Sequence, residues 1–200
     1  HTPPLGCLAA PSDAYTRLLP VLDSGLSPVL VLLEATLFEG NKTGLFLEAA
    51  PWLNDSAVLI RDIYFKDNRD CGIDCMEATA STKIYANAFT GNECGIECSE
   101  DAHGVKIYLN AFTGNEYGLI YMEEGNLDAS FNWWGSPAGP TVEIYKELGP
   151  FSLAENGDIA TGDKLLMLHE DVVLYDPWLA ALELSPAAAT VAVNNIHKLT

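Results

Sequence analysis

Phe89-Thr90-Gly91-Asn92-Glu93-Cys94-Gly95-Ile96 is one of three versions of a single phrase. The version before it, one residue longer, is Phe65-Lys66-Asp67-Asn68-Arg69-Asp70-Cys71-Gly72-Ile73, and the version after it is Phe112-Thr113-Gly114-Asn115-Glu116-Tyr117-Gly118-Leu119. Their closing Gly-Ile or Gly-Leu pairs end at 73, 96 and 119, a constant spacing of 23 residues. A fixed period of this size marks a stacked-repeat architecture, in which each repeat buries its apolar face against its neighbours. A weaker copy, Phe38-Glu39-Gly40-Asn41-Lys42-Thr43-Gly44-Leu45, ends 28 residues before Ile73, as if one turn carried an insertion. At least four turns are therefore expected.

The segments between these phrases are short: Val58-Leu59-Ile60, Ile63-Tyr64-Phe65, Lys83-Ile84-Tyr85 and Val105 to Leu109, each close to Asn, Gly or Asp. Such β-branched and aromatic runs bounded by turn formers read as strands. Three short strands in 23 residues make one rung of a parallel β-helix. Leucine-rich and helical repeats lack support, because neither a Leu-x-x-Leu-x-Leu frame nor a 3.6-residue periodicity is present. The expected fold is all-β, with about four to five rungs in one structural domain. Residues 1–28 would form an N-terminal cap, 29–140 the β-helix, and 141–200 a C-terminal capping or assembly segment with further strands such as Lys164 to His169. Within the cap, Ser12 could begin a short helix running to Leu19, stopped by Pro20. Val29 to Phe38 reads as the first strand, Ala49 to Ser56 as the insertion, and Pro186 to Val193 as an exposed strand able to pair with another molecule.

Stacked rungs turn each repeat position into a column whose members lie about 4.8 Å apart. Phe65, Phe89 and Phe112 are predicted to form one inward column, and Leu45, Ile73, Ile96 and Leu119 another. Asn68, Asn92 and Asn115 would form a turn column hydrogen-bonded from rung to rung, and Asn87 and Asn110 repeat at the same interval. The cysteines follow the period too, with Cys71 over Cys94 and Cys75 over Cys98. Regular alternation puts all four inside beside Ile73. There they could form disulfides between adjacent rungs or stay reduced as small apolar core residues. A zinc site fits poorly, since Cys71 and Cys75 on an extended strand would be about 13 Å apart.

The opposite parity carries carboxylates, with Asp70, Glu93 and Glu116 in one column and Asp74 and Glu97 in another. Like charges this close repel by roughly 1 kcal/mol in water. Either the face is simply solvated, or a cation such as calcium sits between the columns. No other cofactor is expected.

The net charge of −18, with ten Lys and Arg against 28 Asp and Glu, argues against nucleic acid, which is bound through Lys and Arg. The longest purely apolar run, Val29 to Leu33, is far short of the roughly 18 residues a membrane span needs. A chain starting at His1 without a leader fits a mature exported protein or a trimmed one. The sequons at Asn41 and Asn54 are compatible with glycosylation, and the odd cysteine count leaves Cys7 free or bonded to another chain.

The phrase Asn132-Trp133-Trp134-Gly135-Ser136-Pro137-Ala138-Gly139-Pro140 resembles the closing block of right-handed parallel β-helix regions in secreted archaeal and bacterial surface proteins. Gly162-Asp163 and Val173-Leu174-Tyr175-Asp176-Pro177-Trp178-Leu179 follow in the order seen there. On physical grounds Trp133, Trp134 and Trp178 suit the closing of a solenoid end, with stacking on carbohydrate as the functional competitor. The resemblance implies a structural subunit of the cell envelope, of the S-layer or methanogen-sheath type. Such a subunit is extracellular, lies at the cell surface and assembles with itself into a hoop, tube or sheet. Two other readings stand beside it. One is a secreted carbohydrate- or cation-binding module, with polysaccharide as the partner. The other is a polysaccharide lyase or hydrolase. Polygalacturonases on this fold use a Gly-His-Gly element and an Arg-x-Lys pair, whereas this chain has Ala102-His103-Gly104 and no Arg-x-Lys. No nucleophile, base and orienting group emerge from the four histidines, so the expectation is that the chain is not an enzyme.

Overall fold

The computed structural model describes residues 16–17, 30–48, 57–76, 82–99, 102, 104–146, 149–153, 162–168, 172–185 and 188–192. After β1 (Thr16–Arg17), the first turn contributes β2 (Leu30–Glu34), β3 (Leu37–Glu39) and β4 (Leu45–Glu48). The second contributes β5 (Ala57–Arg61), β6 (Tyr64–Lys66) and β7 (Cys71–Met76), and the third β8 (Thr82–Tyr85), β9 (Ala88–Thr90) and β10 (Cys94–Ser99). The fourth contributes β11 (Lys106–Tyr108), β12 (Ala111–Thr113) and β13 (Tyr117–Tyr121). Beyond it come β14 (Leu127–Asp128), β15 (Thr141–Lys146), β16 (Gly149–Leu153), β17 (Lys164–Met167) and β18 (Val173–Leu174), then β19 (Ala181–Ser185) and β20 (Ala188–Ala192).

Equivalent strands of successive turns pair in parallel, which builds three sheets around one core. Sheet A has the order β1-β4-β7-β10-β13-β17-β15-β16, sheet B β18-β14-β11-β8-β5-β2, and sheet C β12-β9-β6-β3. This is the parallel β-helix the 23-residue period predicts. Its sheets continue past residue 140, because β17 lies between β13 and β15 and β18 pairs with β14.

Three local expectations change. Of the helix expected from Ser12 to Leu19, only Thr16 and Arg17 are described, and they are a strand paired with β4. The single strand expected from Val29 to Phe38 is two, because Ala35 turns the chain at φ 52° between β2 and β3. Of the Pro186 to Val193 segment, 188–192 are described, and they are not a lone strand: β20 pairs antiparallel with β19 along one of its edges. The expected insertion at 49–56 lies outside the described residues.

Two columns of left-handed residues turn the corners. Ala35, Asp62, Ala86, Leu109 and Phe131 make the bend out of sheet B, at φ 52–58°. Gly40, Asp67, Gly91, Gly114 and Gly135 follow sheet C in the same way. Beside these corners run the asparagine columns. Asn68 and Asn92 donate backbone N–H and side-chain Nδ2 to the Oδ1 of the next turn's Asn92 and Asn115, at 2.8–3.0 Å. Their Nδ2 groups also donate to Phe38 O and Phe65 O in the preceding turn. Asn87 and Asn110 repeat this chemistry at the other corner, passing the chain of donors to Asn132. The corners' buried amides are thereby satisfied within the stack, as buried polar groups require.

Phe38, Phe65, Phe89 and Phe112 stack with ring centroids 4.8–5.2 Å apart. Trp134, fully buried, continues that column at 4.9 Å from Phe112. Leu45, Ile73, Ile96, Leu119 and Leu165 form the parallel aliphatic column and are fully buried. Each such side chain contributes roughly 1.5–3 kcal/mol before entropy is subtracted.

Candidate functional site

With the core filled by these columns, chemistry is confined to the outer faces and the ends. The outer face of sheet A carries the residues the sequence marks. Its geometry is set by Gly72, Gly95 and Gly118, where the alternation of the strands fails. A Cβ on Gly95 would lie 2.5 Å from Gly118 O and 2.8 Å from the Phe112 ring, so this position faces the phenylalanine column. Gly72 faces Phe89 and Phe65 in the same way. The next residues, Ile73 and Ile96, also point inward and are fully buried. Two consecutive inward positions place the preceding cysteines on the other side of the sheet.

The four expected inward cysteines therefore divide into two kinds. Cys75 and Cys98 join the core with Tyr121 and Leu47. Cys71 and Cys94 lie outside that core, covered rather than packed within it, at 2% and 3% exposure. The Cys71 thiol donates to Glu97 Oε2 at 3.2 Å, and the Cys94 thiol to Ile96 O at 3.1 Å. The stacking is as the period predicts, Cys71 beside Cys94 and Cys75 beside Cys98. All four are free thiols, not disulfides, in this structure. The Cys71 thiol is pushed up by its contact with Cys94 and by burial, Cys75 by its contact with Cys98 and by burial, and Cys94 chiefly by burial. Cys71, Cys75 and Cys94 therefore resist deprotonation and are poor nucleophiles at neutral pH. Cys7 lies outside the described residues.

Asp74 and Glu97 form the expected outer column, each half-buried, continued by Phe46 below and Ile120 above. Asp70 is half-buried, and Glu93 and Glu116 are exposed in the neighbouring column. Among the described residues, no three His, Cys, Asp or Glu side chains converge as a metal ion would need. Asp70, Asp74 and Glu93 instead line an open groove of about 960 Å³ together with Lys42, Arg69 and Phe46.

Further along the same face the cysteine column becomes Tyr117 and then Lys164. The Lys164 ammonium lies 5.0 Å from the centre of the Tyr117 ring, 3.6 Å from buried Glu143 and 3.9 Å from Glu116. Tyr117 donates to Glu143 at 3.4 Å. This cluster joins β13, β15 and β17 and closes the sheet. Tyr121 donates to Gly125 O at 2.7 Å, and burial pushes its phenol up to about 12.

The end of the stack uses residues whose role the repeat phrase alone did not disclose. Asp163 takes the place the next asparagine would hold, accepting from Gly114 N, Asn115 N and Asn115 Nδ2. Burial pushes its carboxyl above the usual range, while the donors from Asn115 and Gly114 pull the other way. Asn132 ends the second column and donates to Ile107 O and Ala129 O. The signals were present in the sequence: Asn132 lies 22 residues after Asn110, and Gly162-Asp163 repeats the Gly-Asn step of Gly91-Asn92 and Gly114-Asn115 with an acid in place of the amide. Of the three tryptophans expected to close the end, Trp134 is the plug, Trp133 is half-buried and bridges to Ala111, and Trp178 packs against Gly139 and donates to Pro137 O at 3.1 Å. Asn41 is half-buried at the start of the first asparagine column, where its N–H donates to Asn68 Oδ1, and the sequon's Thr43 is buried. Asn54 lies outside the described residues.

Comparison with known proteins adds one result. The family model described as right handed beta helix region matches residues 31–133, just over half of the chain. No curated protein and no solved structure matches.

Proposed function

The chain belongs to the right-handed β-helix region family, and from that premise we propose that it is a structural subunit of an extracellular cell-envelope layer, an S-layer or a sheath, and not an enzyme. The observation that carries this reading is where the buried polar chemistry goes. Asn68, Asn87, Asn92, Asn110, Asn115, Asn132 and Asp163 are committed to holding one turn on the next. Groups arranged this way stiffen a block, and being engaged within the stack they do not serve as acid or base toward a substrate. The expected behaviour is association of the purified native protein into sheets, tubes or hoops, seen by light scattering and electron microscopy with and without reductant. Particles that stay monomeric under both conditions at high concentration would overturn the proposal.

A second reading is favoured by the groove containing Lys42, Arg69, Asp70, Asp74 and Glu93, whose mixed charges beside Phe46 suit a polar saccharide. If the chain is a carbohydrate-binding module, it should be retained on insoluble polysaccharide, and Lys42→Ala with Arg69→Ala should release it. Equal retention of the variant would remove this reading.

A further inference from the structure

The outer faces of sheets A and B repeat at the same rung spacing and carry opposite chemistry. On sheet B, Leu32, Leu59, Lys83 and Lys106 form one column, and Glu34, Arg61, Tyr85 and Tyr108 form the column beside it. On sheet A the corresponding outer column is Phe46, Asp74, Glu97 and Ile120. Arg61 is held by Glu34 at 2.6 Å, Lys66 by Glu39, and Lys164 by Glu143. Lys83 and Lys106 differ: both are exposed, and neither makes an ion pair with any described residue. Asp128 follows Lys106 in the column, and its carboxylate accepts from Ser130 N and Oγ without forming an ion pair with the lysine. Two lysines one rung apart, neither in an ion pair, stand out in a chain with 28 acidic residues and only ten basic ones. Beside them the Tyr85 and Tyr108 rings stack at 5.2 Å, and Leu32 is 44% exposed. Tyr85, Tyr108 and Arg61 are of residue types enriched in protein interfaces, and Leu32 adds exposed apolar area beside them.

We propose that the outer face of sheet B docks on the outer face of sheet A of a second copy of this chain. In this arrangement Lys83 lies opposite Asp74, Lys106 opposite Glu97, and Leu59 against Phe46. The match needs a stagger of one rung, about 4.8 Å, and both ladders share that pitch because both are parallel sheets of the same solenoid. The receiving face has an open groove at Asp74, the position opposite Lys83. Its groove holds Asp70, Asp74 and Glu93 against Lys42 and Arg69, an excess of one negative charge. Because the contact joins two different faces, each added copy leaves one face of each kind open. The row therefore grows without closing unless its curvature returns on itself. This inference rests on the assembly reading and names the surfaces that carry it.

Four proteins test it by sedimentation velocity and light scattering, with circular dichroism to confirm that each is folded. They are the wild type, Lys83→Glu/Lys106→Glu, Asp74→Lys/Glu97→Lys, and an equimolar mixture of the two variants. Each variant alone brings like charges together and should need at least about a hundredfold higher concentration to associate. The mixture restores opposite charges at every contact and should recover association. Lys83→Ala/Lys106→Ala, at exposed positions, should show a smaller loss. Reversed variants that associate like the wild type, or a mixture of folded variants that fails to recover, overturn this interface while leaving the assembly reading intact. A wild type that stays monomeric overturns both.

Discussion

The inside and the outside of the same rung obey different rules. Along the phenylalanine column every turn from Phe38 to Phe112 repeats one residue, and the column ends only when Trp134 closes it. Along the outer sheet A column, Phe46, Asp74, Glu97 and Ile120 change character from turn to turn. An inward position has neighbours above, below and across the core, so its volume is prescribed. An outward position has neighbours above and below but none across a core, so its size is less constrained. The stack is thus strict along its core columns and varied along its outer ones.

The sharpest way to break this comparison is to truncate one residue on each side. Phe89→Ala should cost about 3–5 kcal/mol, because it removes a ring stacked on both faces and leaves a cavity. Tyr64→Ala, on the same sheet C but 55% exposed, should stay within about 0.5 kcal/mol. Chemical denaturation of the two variants measures both, and equal losses would dissolve the distinction.

Neighbouring residues in one turn supply the next test. Asn92→Ala strips acceptors from the Asn68 N–H and Nδ2 groups and a donor from Phe65 O, all buried, and should cost about 2–4 kcal/mol. Glu93→Gln, one residue on and exposed, should change stability by less than about 0.5 kcal/mol.

The cysteines sharpen the boundary, because the two pairs differ by one step in the alternation. Cys75→Ser introduces a hydroxyl into the apolar core and should cost about 1–3 kcal/mol. Cys71→Ser keeps a donor within reach of Glu97 and should cost less than about 1 kcal/mol. In thiol-labelling experiments on the folded protein, Cys71 and Cys94 should react before Cys75 and Cys98. Equal labelling rates would mean that one opening exposes both pairs.

The smallest effect is expected at the end of the asparagine column. Asp163 has a folded pKa raised above its ordinary value near 3.8. Between the unfolded and folded values the native state holds more protons than the unfolded one. Stability from this group is therefore present at low pH and lost as pH rises through the folded pKa. Melting curves across that window should fall with rising pH in the wild type and run flatter in Asp163→Asn. Parallel slopes would assign the pH dependence to other groups.

The period of 23 residues and the residue types that recur in it were enough to specify parallel strands, the phenylalanine and aliphatic columns, and the asparagine columns. The reason is physical: a repeated residue in a stack meets copies of itself, so its partner is known once the period is known. Cysteine stacking followed for the same reason, but the face did not. Strict alternation predicts Cys71 inside, and the tertiary structure puts it outside because Gly72 gives the phenylalanine rings the room a side chain would occupy. The non-repeating residues were equally beyond reach of the period. Asp163 arrives from a distant segment to end the first column, and Pro186 to Val193 reads as a free edge until its chain folds back as a hairpin. Sequence by itself determined the stack, since stacking is a local rule repeated. Which side a residue takes at a broken alternation, and what covers the last turn, was decided only by tertiary structure, because both depend on contacts with segments that carry no repeat.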